Sequence, residues 1–319
     1  MPSPLIYSPK YNTDLSLYGV DKPFALDRGE QVLAKLKEDA LAAAVPAPSY
    51  NLPQPIYDEY VRLVHTPEYL ESLAQTQTWL EIFEFSEQEY QPEKAQIALP
   101  ELIHDLRLKC GGTLAAADLA LTSGLAANLG GGYHHAFPDR GRGFCVLHDI
   151  AIAIKSLQTK GKIRTAMTVD LDFHQGDGTA LIFAGNESVF TFSVHSQEGW
   201  PDEKQVSDLD LPIRESDSHL YMEYVEKGLK ESLRRMTPDL VIYVAGSDPY
   251  EKDVLPGTKF LRLPLETMKE RDFYVIDTFA HLGIPLAMVF AGGYGPHVWE
   301  VHYWAVRRLL EKASGAHLS

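Results

Sequence analysis

Cysteine is nearly absent from this chain: 319 residues carry two, Cys110 and Cys145. That excludes a disulfide framework and a cysteine-rich zinc module. Both thiols sit near glycine in apolar surroundings, the setting of a buried and unreactive cysteine. Basic residues are also scarce, 29 Lys+Arg against 44 Asp+Glu, for a net charge of −15. A nucleic-acid-binding face needs a basic patch, so no nucleic-acid partner is expected. The surplus acid reads as solubility, with a mild bias toward cationic partners. No stretch approaches the roughly 20 apolar residues of a membrane span, and the N-terminus has no signal-peptide pattern. No membrane partner is therefore expected, and the location expected is cytoplasmic. What remains is an ordinary globular composition, 45% hydrophobic and 23% charged. The length suits one large α/β domain or two smaller ones.

Pro4 to Tyr7 reads as a first strand, and Asp27 as the cap of a helix through Val32, Leu33 and Leu36. Four prolines between Pro46 and Pro55 mark a surface connection. A helix is expected over Tyr57 to Leu73, with a break at Pro67, and Gln75 to Pro92 is read as a polar, aromatic rim or lid. Thr113 to Leu121 reads as a buried helix, and His148 to Leu157 as another that stops near Gly161. From there strands and helices alternate. Strands are expected over Ile163 to Asp170, Ser188 to Val194, Pro238 to Ala245 and Pro285 to Phe290. Helices are expected over Leu220 to Met236, Thr267 to His281 and Trp299 to Lys312. Alternation of this kind implies a mostly parallel sheet covered by helices. With no internal repeat or charge block, a single domain over 1–319 is the better reading.

Four strands finish in polar or glycine-rich residues: Asp170, Asp172 and His174; Ser193-Val194-His195; Gly246-Ser247-Asp248; and Ala291-Gly292-Gly293-Tyr294. In open parallel sheets ligands bind beyond the carboxyl ends of the strands. Asp172 and His174, two apart on an extended chain, point the same way and can converge on one cation. Taken alone, a D-x-H at a strand end suits a structural role equally well. Asp248 would complete a three-ligand site with a fourth position open to water, the catalytic pattern of zinc. A facial-triad iron site wants two histidines and one carboxylate and fits less well. His134-His135, after three glycines, can serve as base and acid beside such a site, with Asp170 and Asp177 free to orient them. The alternative for these two is ordinary loop histidines, and for Tyr294 a packed aromatic rather than an oxyanion donor.

Gly132-Tyr133-His134-His135, Gly143-Phe144-Cys145, the run from Asp170 to Gly178, Ala245-Gly246-Ser247-Asp248 and Gly292-Gly293-Tyr294 together resemble the zinc-dependent histone deacetylase superfamily. The match runs in order along nearly the whole chain. Ile6 to Asn12, the Asp139-Arg140-Gly141 turn and His174-Gln175 look most like the class IV branch and its bacterial relatives. The resemblance implies an arginase-deacetylase fold, one α/β domain with a central, mostly parallel eight-stranded sheet flanked by helices on both faces. It implies one Zn2+ per chain on Asp172, His174 and Asp248. It pairs His134 with Asp170 and His135 with Asp177, and gives Tyr294 the acyl carbonyl. It places Gly143, Phe144, Gly292 and Gly293 along the substrate, and Arg28 near an internal product channel. It also implies a structural K+ on Asp170 and Asp172, backbone carbonyls near His174 and Val194, and the Ser193 hydroxyl.

The implied reaction removes an acetyl or other acyl group from an acylated lysine peptide or acylated amine, with His135 taking the proton of the attacking water. Two features depart from the family. The second channel aromatic is missing, with Trp200 as the one ring near Ser196 to Pro201, and Leu255 replaces the glutamate of polyamine-selective members. Two alternatives stand beside this reading. A two-manganese ureohydrolase of the same fold uses D-x-H-x-D, whereas here Asp177 falls one residue late. A silent binding scaffold would keep the fold without turnover. The other histidines are read as surface or core residues, with His195 near the rim.

Overall fold

Leu240-Val241-Ile242-Tyr243-Val244 is apolar at every position and forms a strand buried throughout, as a central parallel strand must be. The computed structural model, which describes residues 3–22, 24–86 and 88–314, builds seven strands among them. These are β1 (Leu5–Ile6), β2 (Leu125–Asn128), β3 (Ala166–Asp170), β4 (Val189–Ser196), β5 (Leu209–Ile213), β6 (Leu240–Val244) and β7 (Leu286–Val289). They lie in the order β1-β2-β7-β6-β3-β4-β5, and every pairing is parallel. The fold class is as expected, with seven strands rather than eight. Two of the seven carry little strand signal. β2 is Leu-Ala-Ala-Asn, without a β-branched residue, and β5 is a half-exposed edge strand containing Pro212.

Ten α-helices surround the sheet: α1 (Arg28–Ala42), α2 (Asp58–Val61), α3 (Pro67–Ser72), α4 (Thr76–Phe83), α5 (Ile103–Ser123), α6 (Asp149–Thr159), α7 (Asp177–Phe183), α8 (Tyr221–Arg235), α9 (Leu265–Leu282) and α10 (Trp299–Ala313). Helices α1, α8, α9 and α10 cover one face, and α2, α5, α6 and α7 the other. Alternate residues of each strand feed two separate cores. Val241 and Tyr243 of β6 face the α8–α10 side, while Leu240, Ile242 and Val244 face α5 and α6. The helix expected over Tyr57 to Leu73 is two short ones, because Pro67 starts α3 instead of continuing α2. Asp27 precedes α1 but does not cap it; its carboxylate accepts from the Gln31 amide at 2.8 Å.

The strand order decides where chemistry can occur. From β3 the chain moves outward to β4 and β5, then returns to the other side of β3 as β6 and β7. This reversal is a topological switch point, and it sets the carboxyl ends of β3, β6, β7 and β2 side by side.

Candidate functional site

Asp172, His174 and Asp248 meet above β3 and β6, with one ligand atom from each lying within 4.8 Å of the others. His174 Nδ1 is 2.9 Å from Asp248 Oδ2 and 3.2 Å from Asp172 Oδ1. The remaining carboxylate oxygens take backbone N–H groups. Gly292 N–H donates to Asp172 Oδ2 at 2.8 Å, and Phe173 N–H to Asp248 Oδ1 at 2.9 Å. Both carboxylates are thus oriented by a fixed main-chain donor, the usual outer support of a metal site. A Cβ on Gly246 would lie 2.2 Å from Asp172 Oδ2, and one on Gly292 would lie 2.4 Å from Asp248 Oδ2. Glycine is required there for the acids to converge at all.

Burial opposes ionisation of Asp172, but His134 and then His174 hold it well below the usual carboxylate range. Burial, then the charge of Asp172, pushes Asp248 up to about 7. Burial would strip the proton from His174, yet hydrogen bonds to Asp172 and Asp248 raise it to about 9. Two buried acids with one imidazole are short of positive charge, and a divalent cation would supply it. The donor set, two carboxylates and one imidazole, is one that zinc accepts.

The tandem histidines are held by different acids. His134 Nδ1 lies 2.7 Å from Asp170 Oδ2, and His135 Nδ1 2.7 Å from Asp177 Oδ1. Their protonation diverges. Burial lowers His134, but Asp170 and then Asp172 outweigh it and raise it to about 10. His135 is lowered to about 3 by burial and by the charge on His134. The glycine loop before them is tied to α6. Asp149 accepts from Gly132 N–H at 2.8 Å and Tyr133 N–H at 2.7 Å, and Thr113 donates to it at 2.6 Å. The other end of this segment is fixed by His65, which joins the Phe137 carbonyl (3.0 Å) to the His148 N–H (3.0 Å).

Tyr294 lines the same cavity, a space of about 140 Å³, with its phenol kept neutral by burial and by the charge of Asp248. Its backbone N–H donates to Asp253 Oδ2 at 2.7 Å, and Asp253 Oδ1 accepts from Leu255 N–H at 2.8 Å. Gly143 and Phe144 both take left-handed backbone angles, φ 53° and 66°. Such strain on a phenylalanine is tolerated where the surroundings fix it. Here Phe24 packs on the ring at 5.2 Å, and Tyr294 stands 6.0 Å away. Arg28 donates to the carbonyls of Ala291 (2.9 Å) and Gly292 (3.0 Å) behind the tyrosine. Beneath the metal ligands, buried Arg271 donates to the Leu171 carbonyl (3.0 Å) and the Gly246 carbonyl (2.8 Å).

Asp172, His174 and Asp248, the tandem histidines with their acids, Tyr294, Gly143, Phe144, Gly292 and Gly293 lie around one cavity, while Ser193 stands beside Asp170 in the neighbouring strand. His195 is not at the rim; it is 1% exposed and bonded to the Ser193 hydroxyl at 2.8 Å. Asp177 sits between His135 and Arg142, whose guanidinium is 2.9 Å away. Trp200 lies against His135 at 4.7 Å, and the rings beside Phe144 are Phe24, Phe83 and Tyr294, with Phe83 the last residue of α4. Arg142, Asp149, Asp253, His65 and Arg271 carry no motif of their own. An acid a few residues past a ligand, as Asp253 is past Asp248, is the one signal that could have pointed to any of them.

Comparison with known proteins gives a consistent result. A family model described as the histone deacetylase domain matches residues 22–310. An uncharacterized protein of Picosynechococcus is 36% identical over 307 residues, covering 94% of this chain and 95% of its own. Histone deacetylase 2 of Arabidopsis thaliana is 30% identical, covering 91% of this chain and 74% of its own. The acetoin utilization protein AcuC of Bacillus subtilis is 28% identical, with 94% and 79% covered. Among solved structures, the HDA15 HD domain superposes with a TM-score of 0.71 at 19% identity, over 99% of this chain and 90% of that one, which speaks to the fold alone.

Proposed function

The chain belongs to the histone deacetylase domain family and is a deacetylase-type hydrolase; from that premise we propose a zinc-dependent deacylase that cleaves the amide of an acylated lysine or similar amine. Asp172, His174 and Asp248 hold the zinc. Bound there, it supplies acidification of a water and polarisation of the scissile carbonyl. His135, neutral and oriented through Nδ1 by Asp177, accepts the proton of the attacking water at Nε2 and returns it to the leaving amine. His134, protonated against Asp170, sets the field in which His135 works and carries no proton itself. The Tyr294 phenol donates to the oxyanion as it develops. The Gly143 carbonyl accepts from the substrate amide, Phe144 flanks the acyl-lysine stem, and Gly292 and Gly293 leave room beside the reacting carbon.

A potassium ion completes the reading, held by Asp170 and Asp172, the carbonyls of His174 and Val194, and the Ser193 hydroxyl. Its support is the register of β3 and β4, where Asp170 and Ser193 are direct partners. The acidic chain favours a protein or small-molecule amide over nucleic acid. Two free, buried cysteines suit a cytoplasmic enzyme.

The observation that carries the proposal is a three-donor cluster flanked by two separate His–Asp pairs. A fluorogenic acetyl-lysine assay, with and without a hydroxamate, tests it alongside metal analysis. One zinc per chain with inhibitable turnover is expected. Two manganese ions without deacylation would point to a ureohydrolase instead, although Asp177, engaged by His135 and Arg142, is not free to bind the second.

A further inference from the structure

The cavity that opens on His174 and Tyr294 does not stop at the reacting centre. Its lining also includes Arg28, Gly130, Tyr11, Leu102, Leu106 and Lys109. The cavity, about 140 Å³ in all, takes in Gly143, Phe144 and Tyr294 as well, so one space serves the lysine stem and the acyl group together. Lys109 is the unexpected wall residue. It lies on α5 next to Cys110, Gly111 and Gly112, and is 7% exposed. A buried ammonium costs a great deal of free energy unless it is paired.

Among the described residues, no hydrogen bond or ion pair reaches Lys109 Nζ; Asp105 and Arg28 act on it only through their charge. Asp105 is engaged by the Thr13 hydroxyl at 3.0 Å. Tyr11 donates to Asn128 at 2.9 Å. The Arg28 nitrogens are committed to the carbonyls of Ala25, Ala291 and Gly292. Lys109 is left with three N–H donors in the wall of the cavity that His174 and Tyr294 also line. Burial lowers it to about 8, so it is still mostly protonated at neutral pH.

We propose that Lys109 receives the terminal carboxylate of an ω-carboxyacyl group, which makes succinyl- and glutaryl-type amides substrates of this enzyme. The inference rests on the deacylase reading above and specifies its acyl group. The reaction is unchanged: water oxygen bonds the acyl carbon, the C–N bond breaks, and the nitrogen takes the proton. The products are the free amine and a dicarboxylate, whose distal end only binds.

The test compares kcat/KM of the holoenzyme for acetyl-, butyryl-, succinyl-, valeryl- and glutaryl-lysine peptides of one sequence. A charge-assisted contact in a dry pocket predicts that succinyl exceeds butyryl, or glutaryl exceeds valeryl, by about tenfold or more. Lys109→Met should collapse that ratio, and Lys109→Gln serves if the methionine variant fails to fold. In the His135→Ala background, peptide Kd should show the same preference without turnover. A wild type that favours the uncharged acyl, or a ratio untouched by both substitutions, would overturn the inference while acetyl hydrolysis kept the deacylase reading. Absence of hydrolysis for every acyl group would remove both.

Discussion

Two identical residues side by side, His134 and His135, are driven to opposite protonation by what touches them. His134 faces two acids, Asp170 and Asp172, whereas His135 faces one and stands beside a cation. The division of labour follows from that asymmetry. His135→Ala should lower kcat about 10²–10⁴-fold, and Tyr294→Phe about 10²–10³-fold, with metal content unchanged in both by elemental analysis. Full activity in either variant would remove that residue from the mechanism. Asp253 contributes at one remove, because its carboxylate holds the main chain of Tyr294. Asp253→Ala is expected to lower kcat about tenfold or more through misplacement of the phenol, whereas Asp253→Asn, which keeps one acceptor, should recover part of it. Steady-state kinetics with a KM that moves less than kcat would check this. The ligands themselves were legible in the sequence, since carboxylates and imidazoles at strand ends have few structural uses. Asp253 and Arg142 were not, because their roles exist only through neighbours that the chain brings together.

At the scale of elements, the loop bearing the histidines is held at both ends by helix-derived polar groups. His65, at the end of the turn after α2, is neutral: Nδ1–H donates to the Phe137 carbonyl and Nε2 accepts from the His148 N–H. Burial pushes its pKa down to about 4, against 6.5 in the unfolded chain. Between those values the unfolded chain binds the extra proton. The contribution of His65 is therefore fully present above pH 6.5 and is lost as pH falls toward 4. His65→Ala should destabilise the fold by about 3 kcal/mol at pH 7, since it leaves two buried backbone groups unpaired. The penalty should shrink at pH 5, and urea unfolding at the two values checks it. Elements with strong patterns, such as β6 and α8, are found within a residue or two of their expected positions. The strands β2 and β5 and the helix α7 escaped notice. Four mostly small residues, an exposed edge and a seven-residue helix carry too little periodicity to be seen without the sheet around them.

For the whole molecule, the strand order does what no local signal can. Asp172 and Asp248 are far apart in sequence, yet β3 and β6 are paired neighbours, so the acids emerge together. The parallel α/β class was readable from alternation of strand and helix; the strand order was not, because it depends on which edges pair. The site as a unit should bind its metal with release of protons, since His174, held up to about 9, must give up its own to become a ligand. Asp248, held up to about 7 by burial and by Asp172, must ionise to serve as a ligand. Metal affinity should weaken about tenfold per pH unit below 9 as His174 takes up its proton, and more steeply below 7 as Asp248 does. Competition with a chromophoric chelator at pH 6 and pH 8 measures this. Equal affinity at both would mean that neither His174 nor Asp248 gates binding.

Arg271 gives this arrangement its temper. One guanidinium, planted in α9 on the far side of the sheet, fastens both the stretch leading to Asp172 and the stretch leading to Asp248. The claw therefore shares a single hinge pin, and slackening it would open both jaws together. Rim residues such as Phe24, Trp200 and Leu255 lie beyond its reach, so the entrance is free to diverge from one descendant to the next while the grip beneath stays the same.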